Sequence, residues 1–199
     1  MKTDVIAVTG KGTGMNAALD QVEKVAAYKG LSSRNTLHLR LLTEEMMGMM
    51  RSITGETRGL FWIEDQNNRY ELHLQVTTIM NPEKREQLLA TSSTGKNEAA
   101  RGLMGRLRDF FEQGGDLPSL YLYAPEAGEF AYSGPAADLE WSMSAYQRQL
   151  ESWMPKDNRA REMWDELEKS VVTHVADDVR VSIRGDRAEL MIIKELDRK

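Results

Sequence analysis

The chain has 199 residues, a formal net charge of -5, 41% hydrophobic and 29% charged residues, and no cysteine. This composition is typical of a folded domain, and it excludes disulfides, thiolate metal sites, cysteine nucleophiles and a broad basic surface for nucleic acid. Because the sequence has neither an apolar signal segment nor an apolar run of membrane-spanning length, we predict a cytoplasmic protein without nucleic-acid or membrane partners.

The N-terminal region predicts a short strand followed by two amphipathic helices. The strand covers residues 5–8 and precedes a glycine-rich stretch at 10–14, whose spacing matches neither common phosphate-binding glycine motif and is typical of a flexible turn. The first helix closes at Gly30, and Ser32 or Ser33 caps the second. The apolar face of the first helix consists of Ala18, Val22, Val25 and Ala26.

The second helix places one acid at the edge of an apolar stripe. With 100° per residue, Glu45 lies within about 60° of Leu42 and Met49, whereas Glu44 points away from the stripe. We therefore expect the side chain of Glu45 to be half-buried. The stripe consists of Leu39, Leu42, Met46, Met49 and Ile53.

Period-two alternation of apolar and polar residues then predicts a β-hairpin. Phe61 and Ile63 belong to its first strand, and the turn covers residues 66–69, where asparagine tolerates the positive φ that tight hairpins require. The inward positions of the second strand are Tyr70, Leu72, Leu74 and Val76. Further along, the pattern predicts a short helix at 81–89, a polar loop at 90–97, a helix at 100–111 and a second hairpin within 120–132.

The C-terminal part predicts two helices, separated at Pro155, and a closing hairpin with its turn at 185–186. The helical stripes are Leu139, Met143, Tyr146, Leu150 and Trp153, and then Ala160, Met163, Trp164, Leu167 and Val171. Helices on one face of a sheet would bury all of these apolar faces. We predict an α+β two-layer sandwich with a mixed, mostly antiparallel sheet, plus an inserted hairpin and helix pair.

This order of elements resembles the Bergerat, or GHKL, nucleotide-binding fold of histidine kinases, gyrase-type ATPases and anti-sigma serine kinases. The likeness covers about residues 15–112 and 178–196, so it implies one domain over 1–199 with an atypical insertion at about 113–176. In that family an acid on the first long helix positions the attacking water or hydroxyl. The resemblance implies that Glu45 is the catalytic base of an ATPase or serine kinase-like reaction. The alternative is that Glu45 is an acid at the helix edge that pairs with Arg51 or another cation.

A glycine-bearing segment resembles the lid of the same family. Gly102 and Gly105 follow Lys96 and Arg101 at the start of a predicted helix. Backbone amides at a helix start and nearby cations favour anions, so by resemblance these four residues bind the polyphosphate of ATP with magnesium. The alternative is that the glycines allow close packing of the helix on the sheet, while Lys96 and Arg101 are solvated surface residues.

Two other family motifs are altered. Met49 occupies the position of the family's magnesium-binding asparagine, and a thioether is a poor ligand for a hard cation. Residues 77–82 read Thr-Thr-Ile-Met-Asn-Pro, without the acid and glycines of the family's adenine-binding turn. The resemblance therefore implies a divergent regulatory protein in which nucleotide binding is weakened or lost, closer to a degenerate enzyme than to an active one.

Two alternatives stay open. A non-enzymatic interaction module would use its methionine-rich face or the 113–176 region to bind a regulatory protein partner or to form a homodimer, and an unrelated α+β fold would bind some small ligand. The three histidines, His38, His73 and His174, lie on different predicted elements and offer no ligand-spaced pair. We therefore predict no metal site.

Overall fold

The computed structural model describes residues 1–9, 14–54, 58–77, 139–184 and 187–196. Within these ranges the strands are β1 (Ile6–Thr9), β2 (Arg58–Gln66), β3 (Arg69–Thr77), β4 (Leu139–Ser142), β5 (Asp178–Arg184) and β6 (Arg187–Glu195). The helices are α1 (Met15–Lys29), α2 (Ser33–Thr54), α3 (Met143–Trp153), α4 (Asn158–Glu168) and α5 (Val171–Val175). None of these helices has the length and apolarity that crossing a bilayer requires.

The strands form one six-stranded sheet in the order β1-β2-β3-β6-β5-β4. The predicted α+β sandwich is confirmed, and so is the helix pair, now α3 and α4. Every pairing between these six strands is antiparallel, so the described part of the sheet is not mixed, in contrast to the sequence prediction. The predicted elements between residues 78 and 138, and the turns at 10–13 and 185–186, lie outside the described residues.

The pleat of the sheet separates its side chains into two faces. The helix-covered face shares one hydrophobic core with α1, α2 and α3, and its central positions are Phe61, Ile63, Tyr70, Leu72, Leu74, Val76, Val179, Val181, Ala188, Leu190 and Ile192. The second face carries Leu60, Trp62, Glu64, Glu71, His73, Gln75, Glu189, Met191 and Ile193. Burial of apolar area on the first of these faces is the main driving force for the fold.

Local backbone conformation and hydrogen bonds determine where α1 ends and where α2 begins. Gly30 ends α1 in the left-handed conformation at φ 63°, and the Leu31 amide donates to the Ala26 carbonyl at 2.9 Å, as expected for a glycine cap. The Ser32 hydroxyl accepts a hydrogen bond from the Asn35 amide at 3.2 Å. Ser32, rather than Ser33, therefore caps α2.

The predicted β2–β3 hairpin is confirmed, with a two-residue turn. Asn67 and Asn68 have φ values of 55° and 73°, the left-handed conformation that matches the twist of such hairpins. This turn fixes the register of the two strands. Glu64 lies directly opposite Glu71, and Trp62 lies opposite His73.

The region around Leu139 differs from the prediction. Leu139, expected on a helix, belongs to β4 and pairs with Ile183, while Trp141 pairs with Val181. Leu139 and Trp141 alternate with polar neighbours, so they fit the period of a strand as well as that of a helix, and pairing with β5 decides the outcome. The helix begins only at Met143, where the Ser142 hydroxyl accepts from the Ala145 amide at 3.2 Å.

The end of the second predicted stripe also differs. α4 ends at Glu168, and Val171 belongs to the separate short helix α5, where 45% of it is exposed. The burial of Ala160 and Leu167 agrees with the predicted face. The predicted apolar stripe therefore runs about one turn beyond the end of α4.

Candidate functional site

Glu45 lies at the boundary between the core and the surface of α2. Its side chain is half-buried and Glu44 is exposed, which confirms the sequence prediction for both acids. Leu42, Met46 and Met49 beside it are at most 2% exposed, and α2 packs against β3 and β6. Glu45 is thus a carboxylate held at the rim of an apolar helix face.

The other residues of the predicted nucleotide site are not all placed. Lys96, Arg101, Gly102 and Gly105 lie outside the described residues, and so do residues 78–82. Met49 is 2% exposed and belongs to the hydrophobic core. Residue 49, which the GHKL resemblance aligns with a magnesium-binding asparagine, is therefore an apolar core side chain.

A shallow groove runs between α1 and α2, next to Glu44 rather than Glu45. It is lined by Leu31, Leu37, Leu41 and Thr36, and an ion pair between Arg40 and Glu23 crosses it. Leu37 is 62% exposed. The groove combines an apolar floor with charged edges, the composition of a small protein contact surface.

On the second face of the sheet, His73 occupies the centre of a polar cluster. Its imidazole stacks on the indole of Trp62, with ring centroids 4.8 Å apart and an angle of 6° between the ring planes. The Nδ1 atom lies 2.7 Å from Oε1 of Glu189 on β6. Because a carboxylate only accepts hydrogen bonds, this contact places the proton of the neutral imidazole on Nδ1 and leaves the lone pair on Nε2.

The free nitrogen of His73 faces two carboxylates. Its Nε2 atom is buried, has no hydrogen-bond partner in the described part of the chain, and lies 3.7 Å from Oε2 of Glu71. One ligand atom from each of Glu64, Glu71 and His73 can be chosen so that all lie within 4.8 Å of one another. A buried nitrogen without a hydrogen bond, close to two carboxylates, is an arrangement that suits a cation.

Nearby donors hold the two carboxylates in place. Glu71 accepts hydrogen bonds from Arg69 Nε at 2.8 Å and from Gln66 Nε2 at 3.3 Å. Oε1 of Glu64 accepts from the indole nitrogen of Trp62 at 2.9 Å and pairs with Lys2 Nζ at 3.0 Å. The bond to Lys2, and then that to Trp62, lowers the pKa of Glu64. Like charges directly opposite in a sheet repel, so these donors are needed to stabilise the pair.

In the sequence His73 is isolated from the other two histidines, so histidine spacing alone does not indicate a site. A signal was nevertheless present in the turn. Counting outward from Asn67 and Asn68 as a two-residue turn pairs Glu64 with Glu71 and places His73 next to both. The contact with Glu189 carried no such signal, since it joins residues 116 positions apart.

No protein-family model matches this chain, and it matches neither a curated protein nor a solved structure. The GHKL resemblance therefore depends on the order of the elements, on Glu45 and on the glycine-bearing segment. Function has to be inferred from the chemistry of the residues themselves.

Proposed function

We propose that this chain is a divergent GHKL-like, ATP-binding regulatory protein of the cytoplasm. The single observation that supports this proposal best is the placement of Glu45, half-buried on a long helix that packs across the central strands of the sheet. The chain order of α1, α2, the β2–β3 hairpin and the closing β5–β6 hairpin agrees with the order in that family.

In this proposal Glu45 acts as the base that orients the attacking oxygen in phosphoryl transfer. Such a reaction depends mainly on positioning and on charge stabilisation, so a carboxylate on a rigid helix is a suitable group. The rim position gives Glu45 an apolar wall on one side and access on the other. Lys96, Arg101, Gly102 and Gly105 supply the contacts to the phosphates through cationic side chains and close backbone approach.

The identity of residue 49 limits the activity that we propose. A buried thioether offers nothing to a magnesium ion, which prefers oxygen ligands in octahedral geometry. Magnesium would have to be held by the phosphates and water with fewer protein ligands. We therefore expect nucleotide binding to be weak and hydrolysis to be slow or lost, so that binding serves regulation rather than turnover.

The test is a titration of the full chain with Mg-ATP, followed by calorimetry and by the melting temperature. A ligand that binds only the native state raises the melting temperature as its concentration exceeds Kd. We expect a saturable rise at millimolar Mg-ATP, and a smaller rise for Gly102→Ala because the added methyl group keeps the backbone away from the phosphates. Glu45→Gln should keep binding and lose any residual phosphate release.

The matched control is Glu44→Gln, which removes the neighbouring exposed acid and should behave as the wild type. Absence of any shift in the wild type at millimolar Mg-ATP would contradict nucleotide binding. Wild-type behaviour of both Gly102→Ala and Glu45→Gln would remove the two residue assignments even if ATP binds elsewhere.

The α1–α2 groove favours a second candidate function, a non-enzymatic interaction module. Leu31, Leu37 and Leu41 give the groove an apolar floor that a helix of a protein partner, or of a second copy, would cover. This candidate gains support if nucleotides leave the melting temperature unchanged while sedimentation shows a dimer that Leu37→Asp dissociates. A monomer at all concentrations, together with a nucleotide shift, would argue against it.

A further inference from the structure

We propose that the second face of the sheet binds a divalent cation such as zinc, with Glu64, Glu71 and His73 as ligands and Glu189 as the residue that positions the imidazole. This site is independent of the nucleotide site proposed above, because it lies on the face opposite to the one on which α2 packs. It uses strands β2, β3 and β6, which are all part of the described sheet.

The unsatisfied nitrogen of His73 is the strongest argument for a cation. His73 is 6% exposed, and its Nε2 atom is buried without a hydrogen bond inside the described ranges. A buried polar atom without a partner costs free energy, so such atoms in native proteins usually have a ligand, an ion or a functional role. Nε2 lies 3.7 Å from Oε2 of Glu71, and ligand atoms of Glu64, Glu71 and His73 lie within 4.8 Å of one another.

The other nitrogen of the ring is already held as metal-binding histidines require. Glu189 accepts from Nδ1 at 2.7 Å, which in the neutral imidazole fixes the tautomer with its lone pair on Nε2. The Trp62 indole, stacked on the imidazole, fixes the plane of the ring. Two neighbouring strands and an aromatic wall thus preorganise the ligand before any cation arrives.

Each carboxylate has an oxygen that can bind a cation. Arg69 Nε donates to Oε1 of Glu71, whereas Oε2 accepts a longer hydrogen bond from Gln66 Nε2 at 3.3 Å and lies 3.7 Å from His73 Nε2. A carboxylate oxygen has two lone pairs, so Oε2 keeps one for a cation. Oε1 of Glu64 accepts from both Trp62 and Lys2, which leaves its second oxygen available. Zinc bound tetrahedrally at about 2.1 Å separates its ligand atoms by about 3.4 Å. The 4.8 Å span would therefore contract by about 1.4 Å when a cation binds.

Glu64 is the ligand that can make this movement. Its side chain is 27% exposed, against 10% for Glu71 and 8% for His73. The ammonium of Lys2 is the cation that now neutralises Glu64, and its side chain is 56% exposed. A divalent cation would displace Lys2 into solvent at little cost, so Lys2 is a competitor for the site rather than a part of it.

The donor set selects the class of cation. One imidazole nitrogen and two carboxylate oxygens suit zinc and neighbouring divalent metals, whereas calcium and magnesium prefer sites made of oxygen alone. Three protein ligands leave a fourth position for water or for a small molecule. Sequence analysis predicted no metal site because the three histidines are far apart, but two of the three ligands proposed here are carboxylates brought in by strand register.

The test is a titration of the chelator-treated full chain with zinc alone, by calorimetry, and with cobalt, whose absorption spectrum reports nitrogen and oxygen ligation. We expect one equivalent to bind. His73→Gln should abolish binding, and Glu189→Gln should weaken it by about 10- to 100-fold and alter the cobalt spectrum, as loss of a positioning carboxylate does. His174→Gln, at an exposed position on α5, is the matched control and should bind as the wild type.

Lys2→Met gives a second, opposite prediction that does not depend on how well the buried variants fold. Removing the competing ammonium should increase zinc affinity by severalfold, whereas a purely structural ion-pair network predicts no zinc binding before or after this change. No binding of zinc or cobalt by the wild type would overturn the proposal. So would equal binding by His73→Gln, or loss of binding in His174→Gln.

Discussion

The two faces of the sheet are built from the same strands but are held together in different ways. On the helix-covered face, apolar side chains such as Phe61, Ile63 and Leu72 are completely buried and are stabilised by packing without directional bonds. On the second face, Glu71 and His73 are also less than 10% exposed, but each is held by specific charged or polar contacts. Side chains of similar burial on the two faces are therefore held by different kinds of contact.

This difference indicates where substitutions act. Loss of packing on the helix-covered face is not compensated by water, since the cavity remains partly empty. On the second face, a conservative change such as His73→Gln keeps a polar side chain that can still donate to Glu189, so part of the hydrogen bonding is retained. We expect substitutions on the first face to change stability and substitutions on the second face to change binding.

The largest expected effect is that of Leu72→Ala on β3. Leu72 is completely buried in the middle of the sheet, so its loss should lower the free energy of unfolding by about 3 to 4 kcal/mol. Gln75, three residues along the same strand on the second face, is the control, and Gln75→Ala should cost less than about 1 kcal/mol. Urea unfolding measures both, and equal costs would contradict the proposed difference between the faces.

The ion pair at the end of the helix-covered face should have a smaller effect. Asp65 is 5% exposed, forms an ion pair with Lys29 of α1 and accepts a hydrogen bond from the Asn68 amide at 3.3 Å. The hydrogen bond to Asp65 raises the pKa of Lys29. Asp65→Asn removes the negative charge that Lys29 and the Asn68 amide both contact, so it should lower the free energy of unfolding, but by less than Leu72→Ala does.

The control for Asp65 is Asp177→Asn. Asp177 pairs with Lys194 at 2.9 Å, but its side chain is 43% exposed, so the change should cost less than about 1 kcal/mol. Chemical denaturation of the two variants gives the comparison. If Asp177→Asn is as damaging as Asp65→Asn, burial of the carboxylate is not what makes the Lys29 pair important.

The smallest expected effect is a pH dependence from His38 on α2. Burial, with smaller contributions from Arg34 and Lys194, lowers the pKa of His38 below its ordinary value of 6.5. The unfolded chain then binds the proton more readily, so this stability contribution is present above pH 6.5 and is lost as the pH falls from 6.5 through the lower pKa of the folded state. The melting temperature should fall less between about pH 7.5 and about pH 5.5 in His38→Gln than in the wild type. An unchanged pH dependence in the variant would exclude His38 as its source.

The elements with strong local patterns were predictable from the sequence, and long-range pairings were not. The apolar stripe of α2 and the half-burial of Glu45 follow from helical geometry. A two-residue turn at Asn67 and Asn68 determines which residues pair in the first hairpin. Leu139 fits two periods at once, so only its pairing with β5 decides its structure. The pairing of β3 with β6, which brings Glu189 to His73, has no local signal because it joins distant parts of the chain.

The central claim is that the helix-covered face determines stability and the second face binds a cation. It is tested most directly by His73→Gln, with urea unfolding and the zinc dependence of the melting temperature measured on the same sample. The predicted result is a free energy of unfolding within about 1 kcal/mol of the wild type, together with complete loss of the rise in melting temperature that zinc causes. A loss of stability as large as that of Leu72→Ala, or a zinc response equal to that of the wild type, would contradict the account.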